Sequence, residues 1–313
     1  MPKHPLCFRL GMLCAFLLLP LISVTAQSTN RPASKPEEQT QIVLLGTGIP
    51  YPDPKASGPA TAVVVGKRVF LFDAGAGVMR QMNAAGLPIT GPEAAFITHL
   101  HSDHTLGYAD LILTSWVMRR TTPFPVYGPR GLRSMTAHLL AAYREDIQVR
   151  TDGLEREIAG GYRVKVNEIK SGIVYERDGV RITAIAVPHG SWKQAYAYRI
   201  DTPDRSIVIS GDTRPSEALE RASRGVDVLV HEVYSPLHLA PENRTGGKYW
   251  PQYMREFHTS DVELGALASR ANPKLLILTH IIRMGSSDDD LLAGVRAGGF
   301  SGPVSVGKDL ERY

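Results

Sequence analysis

The chain has two cysteines in 313 residues, Cys7 and Cys14, and both lie within the first 26. No disulfide is available to the rest, whose stability must come first from its core. Long apolar runs are also scarce: the one from Leu10 to Val24 is interrupted by Pro20 and falls short of the roughly 20 residues a spanning helix needs. A large excess of one charge is missing too. With 35 basic and 31 acidic residues the net charge is +4, and removal of Lys3 and Arg9 with the first 26 residues leaves 33 against 31. So slight an imbalance gives no electrostatic footprint for nucleic acid, and transfer RNA is not expected as a partner. Internal repeats and a second-domain linker are absent.

The first 26 residues carry Lys3, His4 and Arg9, then the apolar run, then Val24-Thr25-Ala26 before Gln27. This is the pattern of a cleaved signal peptide, which predicts a periplasmic or secreted protein with no stable membrane insertion. Residues 27–41, rich in Ser, Thr, Pro, Glu and Gln, read as a flexible segment. Residues 42–313 are long enough for one catalytic domain, and the hydrophobic share of 43% is ordinary for a globular protein. Nothing fixes the oligomeric state, and a homodimer is allowed.

What the chain does have is concentrated at Thr98 to His104, T-H-L-H-S-D-H: three imidazoles and a carboxylate within six positions. His99 and His101 point the same way on extended backbone, while Asp103 and His104 fall on the turn that follows, so the cluster divides between two ions. Five further short apolar runs end in comparable groups: Asp73, His189, Asp212, His231 with Glu232, and His280. Buried strands that deliver such residues to one sheet edge imply a shared site. Strands are expected near 42–45, 61–65, 69–72, 95–98, 125–127, 164–169, 179–187, 196–200, 206–210, 226–231 and 275–279. Helices are expected over 77–85, 105–118, 132–143, 215–223 and 260–271, the last opened by a capping box of Ser260 and Glu263.

The ordered motifs L-G-T-G (45–48), F-D-A-G (72–75), T-H-L-H-S-D-H (98–104), V-P-H-G (187–190), S-G-D-T (210–213), H-T-S (258–260) and L-T-H (278–280) resemble the metallo-β-lactamase superfamily, and within it the ribonuclease Z-like branch. The resemblance implies an α/β fold, a four-layer αββα sandwich with metals at one edge. It implies that His99, His101 and His189 hold one ion, Asp103, His104 and His280 a second, and that Asp212 bridges them. Two zinc ions suit this donor set, which manganese or iron would also accept. Asp73 is expected to orient a ligand, and Asp103, His258 and Glu232 are assigned to catalysis, the last two as a proton relay.

The expected reaction is attack by metal-activated water on a small anionic ester, a phosphodiester or an aryl sulfate, as in exported arylsulfatases and cyclic-nucleotide phosphodiesterases of similar sequence. The 22 residues between His189 and Asp212 leave no room for the long arm with which ribonuclease Z clamps transfer RNA. A β-lactamase or lactonase, and an iron-dependent oxidoreductase on the same fold, are the alternatives. Residues 234–257 are expected to form a substrate-covering loop, with Trp116, Trp192 and Arg283 on the pocket wall.

Overall fold

Alternation of large apolar side chains along short strands makes each sheet two-faced, and the fold follows from burying both faces. The computed structural model describes residues 1–2 and 39–313, apart from 155 and 159. The expected signal peptide and most of segment 27–41 lie outside the described residues. Thr40 is already fixed, donating from its backbone N and its Oγ1 to the Asp204 carboxylate. Among the described residues no helix is long and apolar enough to cross a membrane.

One sheet contains β1 (Gln41–Gly46), β2 (Ala60–Val65), β3 (Arg68–Phe72), β4 (Ala94–Phe96), β5 (Phe124–Gly128) and β6 (Val164–Glu168), side by side in chain order. The other contains β7 (Gly172–Arg177), β8 (Val180–Ala186), β9 (Tyr196–Asp201), β10 (Ser206–Ile209), β11 (Val228–Tyr234), β12 (Leu275–Ile282) and β13 (Val304–Val306), again in order. The helices are α1 (Val78–Ala84), α2 (Ser102–Thr105), α3 (Tyr108–Val117), α4 (Leu132–Ala142), α5 (Arg144–Asp152), α6 (Glu217–Ala222), α7 (Trp250–Phe257), α8 (Asp261–Ala271) and α9 (Asp288–Ala297).

On β3, Phe70 and Phe72 point inward and pack with Ile182, Tyr198, Ile207 and Val228 of the second sheet. Val69 and Leu71 point outward to Val78 and Met82 of α1 and Leu111 of α3. The second sheet repeats the arrangement, with Val208, Leu229 and Leu276 against Leu219, Leu264 and Leu291 of α6, α8 and α9. The result is the expected α-β-β-α order of layers. Each such side chain, wholly buried, contributes roughly 1.5–3 kcal/mol.

Local chemistry explains where elements stop. The helix expected over 105–118 is divided at Gly107, where a Cβ would lie 2.1 Å from the Gly75 carbonyl oxygen, so the backbone turns between α2 and α3. The capping box at Ser260 forms as expected: Ser260 Oγ accepts from Glu263 N, and Ser260 N donates to Glu263 Oε2 at 3.0 Å. Residues 234–257 are less loop than their Pro and Gly content suggested. Pro251 stands in the first turn of α7, a position at which its missing N–H costs nothing.

Asp227 fastens the start of three strands. Its carboxylate accepts from Ser206 N and Oγ at 2.8 Å and from Lys274 Nζ at 2.7 Å, at the heads of β10, β11 and β12. Burial would raise its pKa, but Lys274 and the Ser206 bonds bring it to about 2. Because this lies below the unfolded value of about 3.9, the stability it contributes is present above pH 4 and is lost as pH falls toward 2. Asp227→Asn is expected to lose about 1 kcal/mol at pH 7. In urea melts its deficit against the native chain should shrink between pH 4 and pH 2, and a deficit that stays constant with pH would remove the charge from this account.

Candidate metal centre

The ends of β3, β4, β8 and β10 open on one edge of the sandwich and present Asp73, His99, His189 and Asp212 there. Two hydrogen bonds, one from a side chain and one from the backbone, cross between the sheets to hold the histidine loop: Tyr198 Oη donates to Ile97 O at 2.8 Å, and Tyr196 N donates to Thr98 O at 3.0 Å. His101 then precedes α2, whose single turn carries Asp103 and His104.

Three overlapping groups of donors result, with the candidate ligand atoms of each within 4.8 Å of one another. They are His99, His101, His189 and Asp212; Asp103, His104 and His280; and Asp212, His258 and His280. Asp212 connects them. Its Oδ1 lies 3.2 Å from His104 Nε2, and its Oδ2 lies 3.5 Å from His280 Nε2, 3.9 Å from His99 Nε2 and 4.0 Å from His189 Nε2. His280 Nε2 is 3.2 Å from Asp103 Oδ2.

The hydrogen bonds leave lone pairs facing inward. His189 donates from Nδ1 to the Phe257 carbonyl oxygen at 2.7 Å, which leaves Nε2 bare. Thr98 Oγ1 spends its proton on the Asp73 carboxylate, so His99 Nδ1 must donate to that oxygen at 3.0 Å and its Nε2 is bare as well. Both lone pairs aim at His101 Nδ1, 2.9 and 3.1 Å away. One proton cannot satisfy both, whereas a cation can. His104 Nε2 and Asp212 Oδ1, buried and facing each other, have no hydrogen-bond partner. Such a set fits metal ions, and the cluster is a dinuclear metal site of imidazole and carboxylate donors.

Electrostatics follow from burial. It drives His99 well below its ordinary pKa and His189 to about 4. It pushes His104 the same way, but the Asp212 and Asp73 carboxylates overcome it and hold that ring well above. Asp212, which burial would raise, is held well below by His104 and His280.

Two site residues sit in the left-handed region, Asp73 at φ 61° and His280 at φ 43°. His280 is the extra residue of a bulge: Glu232 pairs with Thr279 and Val233 with Ile281, which turns the imidazole out of the ladder into the site. Asp73 accepts from Thr98 N at 2.8 Å and from His104 Nδ1 at 2.8 Å, so it orients one ring while fastening the loop of another.

Glu232 lies within β11 rather than at its end, with its Oε1 3.3 Å from His258 Nδ1 and accepting from Thr213 N and Thr259 N at 3.1 and 3.2 Å. Burial lifts its carboxyl above the ordinary range, against the pull of His258. His231 is fully buried beside it, with its Nδ1 hydrogen-bonded to the Glu232 carbonyl oxygen. Of the expected wall residues, Trp192 donates from Nε1 to His101 Nε2 at 2.7 Å. Trp116 is fully buried in the core, donating to Ile158 O, and Arg283 pairs with Asp288, so neither meets the donor cluster.

Three features gave no sequence signal. Phe257 lends its carbonyl to His189, and its ring covers Gly190, where a Cβ would come 2.0 Å from the ring; Gly190 N in turn donates to Glu256 O at 3.0 Å. The C-terminal end of α7 is thereby fastened to a candidate ligand. The rings of Trp250, Tyr253 and Phe257 stack along that helix at 5.5 and 4.1 Å. Asp309 accepts from Thr47 N and Oγ1 at 2.9 Å and from Ser57 N at 2.7 Å, which ties down the Gly46 to Gly58 loop.

Fold and site together define a metal-dependent hydrolase. Residues 68–281 match the Beta-lactamase superfamily domain. Ribonuclease Z of Mycobacterium bovis (strain BCG / Pasteur 1173P2) is 34% identical over 278 residues, covering 87% of this chain and 97% of the relative. Ribonuclease Z of Mycolicibacterium paratuberculosis gives the same figures. Among solved structures, the metallo-beta-lactamase fold protein YhfI from Bacillus subtilis superposes with a TM-score of 0.67 at 19% identity, over 88% of this chain and 99% of that one. The short form of human tRNase Z superposes at 0.65 and 19%, over 87% and 98%. The chain belongs to the metallo-β-lactamase superfamily, as a ribonuclease Z-like member.

These relatives correct two expectations. An exported hydrolase of small anionic esters, aryl sulfates included, is not what they support, and transfer RNA cannot be set aside as a partner. The missing arm misled. β9 and β10 do fill the interval from His189 to Asp212, but 278 aligned positions already take in 87% of this chain, so the Mycobacterium bovis relative has no long insertion against it within that span. Near-neutral net charge misled as well, because a sum over the whole chain says nothing of where its cations stand.

Proposed function

We propose that the protein is an endoribonuclease that hydrolyses a phosphodiester of precursor transfer RNA. The observation that carries this reading is the match to proteins named Ribonuclease Z over nearly their whole length, on a chain that sets His258 and Glu232 beside the dinuclear site. His99, His101, His189 and Asp212 would hold one ion and Asp103, His104, His280 and Asp212 the other, with zinc the metal best suited to these donors. Bound there, the ions would supply an acidified water as nucleophile and a Lewis-acid contact for the phosphoryl oxygen.

The chain's own part concerns the leaving group. An alkoxide leaves poorly without a proton. Glu232 accepts the Nδ1 proton of His258 and steadies the imidazolium, so that Nε2 can donate to the departing oxygen. Tyr253 and Phe257 roof the site against bulk water, with the Phe257 ring 5.0 Å from that of His189 and the Tyr253 ring 5.9 Å from that of His258.

The direct test is cleavage of a precursor transfer RNA transcript by zinc-loaded protein. A single discrete cut is expected, and no cut under any of zinc, manganese or iron would end this reading. His258→Ala should retain both metals yet cleave roughly 10² to 10⁴-fold more slowly. The deficit should nearly vanish on a transcript whose leaving oxygen is replaced by sulfur, since a thiolate leaves unprotonated. An equal deficit on both transcripts would remove the acid role from His258.

A further inference from the structure

Two grooves flank the His99–His104 loop, and their chemistry differs. One, of about 490 Å³, is lined by Pro50, Tyr51, Asp53, Ser102, Asp103 and Leu106, with acids but no Lys or Arg on its wall. The other, of about 690 Å³, is lined by Leu100, Arg130, Gly131, Trp192, Lys193 and Gln194 among others, with two cations and no acid. It begins at the metal centre, because Trp192 bonds His101 and Leu100 lies between His99 and His101. Its rims are tied together by Arg130 N, which donates to Gln194 Oε1 at 2.7 Å.

The contents of this second groove are unspent. Arg130 and Lys193 are exposed and form no ion pair among the described residues. Glu168, an acid outside the lining, accepts from Gly131 N and Arg133 N at the head of α4 and feels the charges of Arg133 and Arg130. Trp192 meets the rings of His99 and His101 at steep angles, 77° and 86°, and among the described residues no ring stacks on it. The ladder on α7 is different, since its rings already stack on one another.

Cations that attract phosphates, next to an aromatic face open to a base, are what a single-stranded polynucleotide requires. We propose that this groove seats the RNA on one side of the scissile phosphodiester, with Arg130 and Lys193 on backbone phosphates and Trp192 against a nucleobase. The proposal rests on the RNA reading above and adds the path of the strand. The acidic groove on the other side of the loop is not where the phosphates lie.

The test measures kcat/KM for cleavage of a precursor transfer RNA transcript against potassium chloride concentration. Native protein is compared with R130A/K193A and with a charge-matched control, R177A/R181A, altered on β7 and β8. Two lost phosphate contacts on a single strand should reduce the slope of log(kcat/KM) against log[salt] by about 1.4. At 0.1 M salt the groove variant should show KM raised at least tenfold with kcat within twofold, and the control should follow the native protein. Native cleavage with an unchanged slope in the groove variant, or with equal changes in both variants, overturns the groove and leaves the RNA reading standing. No cleavage by native protein overturns both.

Discussion

Asp212→Ala is expected to leave less than about one ten-thousandth of RNA cleavage and to lower metal content from two ions per chain toward one or none. A factor of 10⁴ corresponds to about 5.5 kcal/mol of lost barrier reduction, a moderate share of what enzymes achieve. Asp212 is 2% exposed, and its two oxygens reach His104 on one side and His280, His99 and His189 on the other. Among the described residues no other carboxylate belongs to two of the three groups of donors. Elemental analysis with single-turnover cleavage checks both parts. Retention of two ions with cleavage within tenfold of native would mean that Asp212 does not join the ions.

Removing the metal should also destabilise the fold. The donors come from both sheets, the 99–104 loop following β4 and His189, Asp212 and His280 delivered by β8, β10 and β12. Ions held by these residues would clasp the sheets. An ion present at a thousand times its dissociation constant contributes about 4 kcal/mol. For a domain of this size each kcal/mol moves the melting temperature by roughly 2–4 °C, so stripping two ions, about 8 kcal/mol together, should lower it by about 15–30 °C. Calorimetry before chelation, after it and after zinc is restored would show the drop and its recovery. A fully stripped protein that melts within 2 °C of the loaded one would place the clasp elsewhere.

The donor residues were legible because ligand chemistry is carried by residue type, and three His and an Asp within 99–104 have few other uses. The layers were legible because period-two patterning survives in strands such as β3. Elements whose cause lies elsewhere in the chain were not. β7 has a mostly exposed pattern; it pairs with β8, packs Val174 and Tyr175 against the core, and Tyr175 donates to Glu93 at 2.5 Å, 82 residues away. The Asp178-Gly179 turn, with φ 49° and 77°, joins β7 to β8 as a hairpin. Asp309 acts on Thr47 across 262 residues, a distance at which spacing carries no information. The bulge that turns His280 inward depends on β11 alongside. Substrate class was misjudged for a related reason, since net charge averages over the whole surface and says nothing of where its cations gather.

The fastening of α7 to the His189–Gly190 turn has a thermodynamic meaning. Phe257 and Glu256 hold that turn by their carbonyls, and the Phe257 ring covers the one residue small enough to lie beneath it. The helix that roofs the site therefore cannot shift without carrying a candidate ligand with it. If the proposed RNA substrate shifts α7 on binding, metal affinity is expected to change with it, and the metal would then alter RNA affinity by the same factor. Titrating metal with and without a bound RNA would measure that reciprocity as a single number.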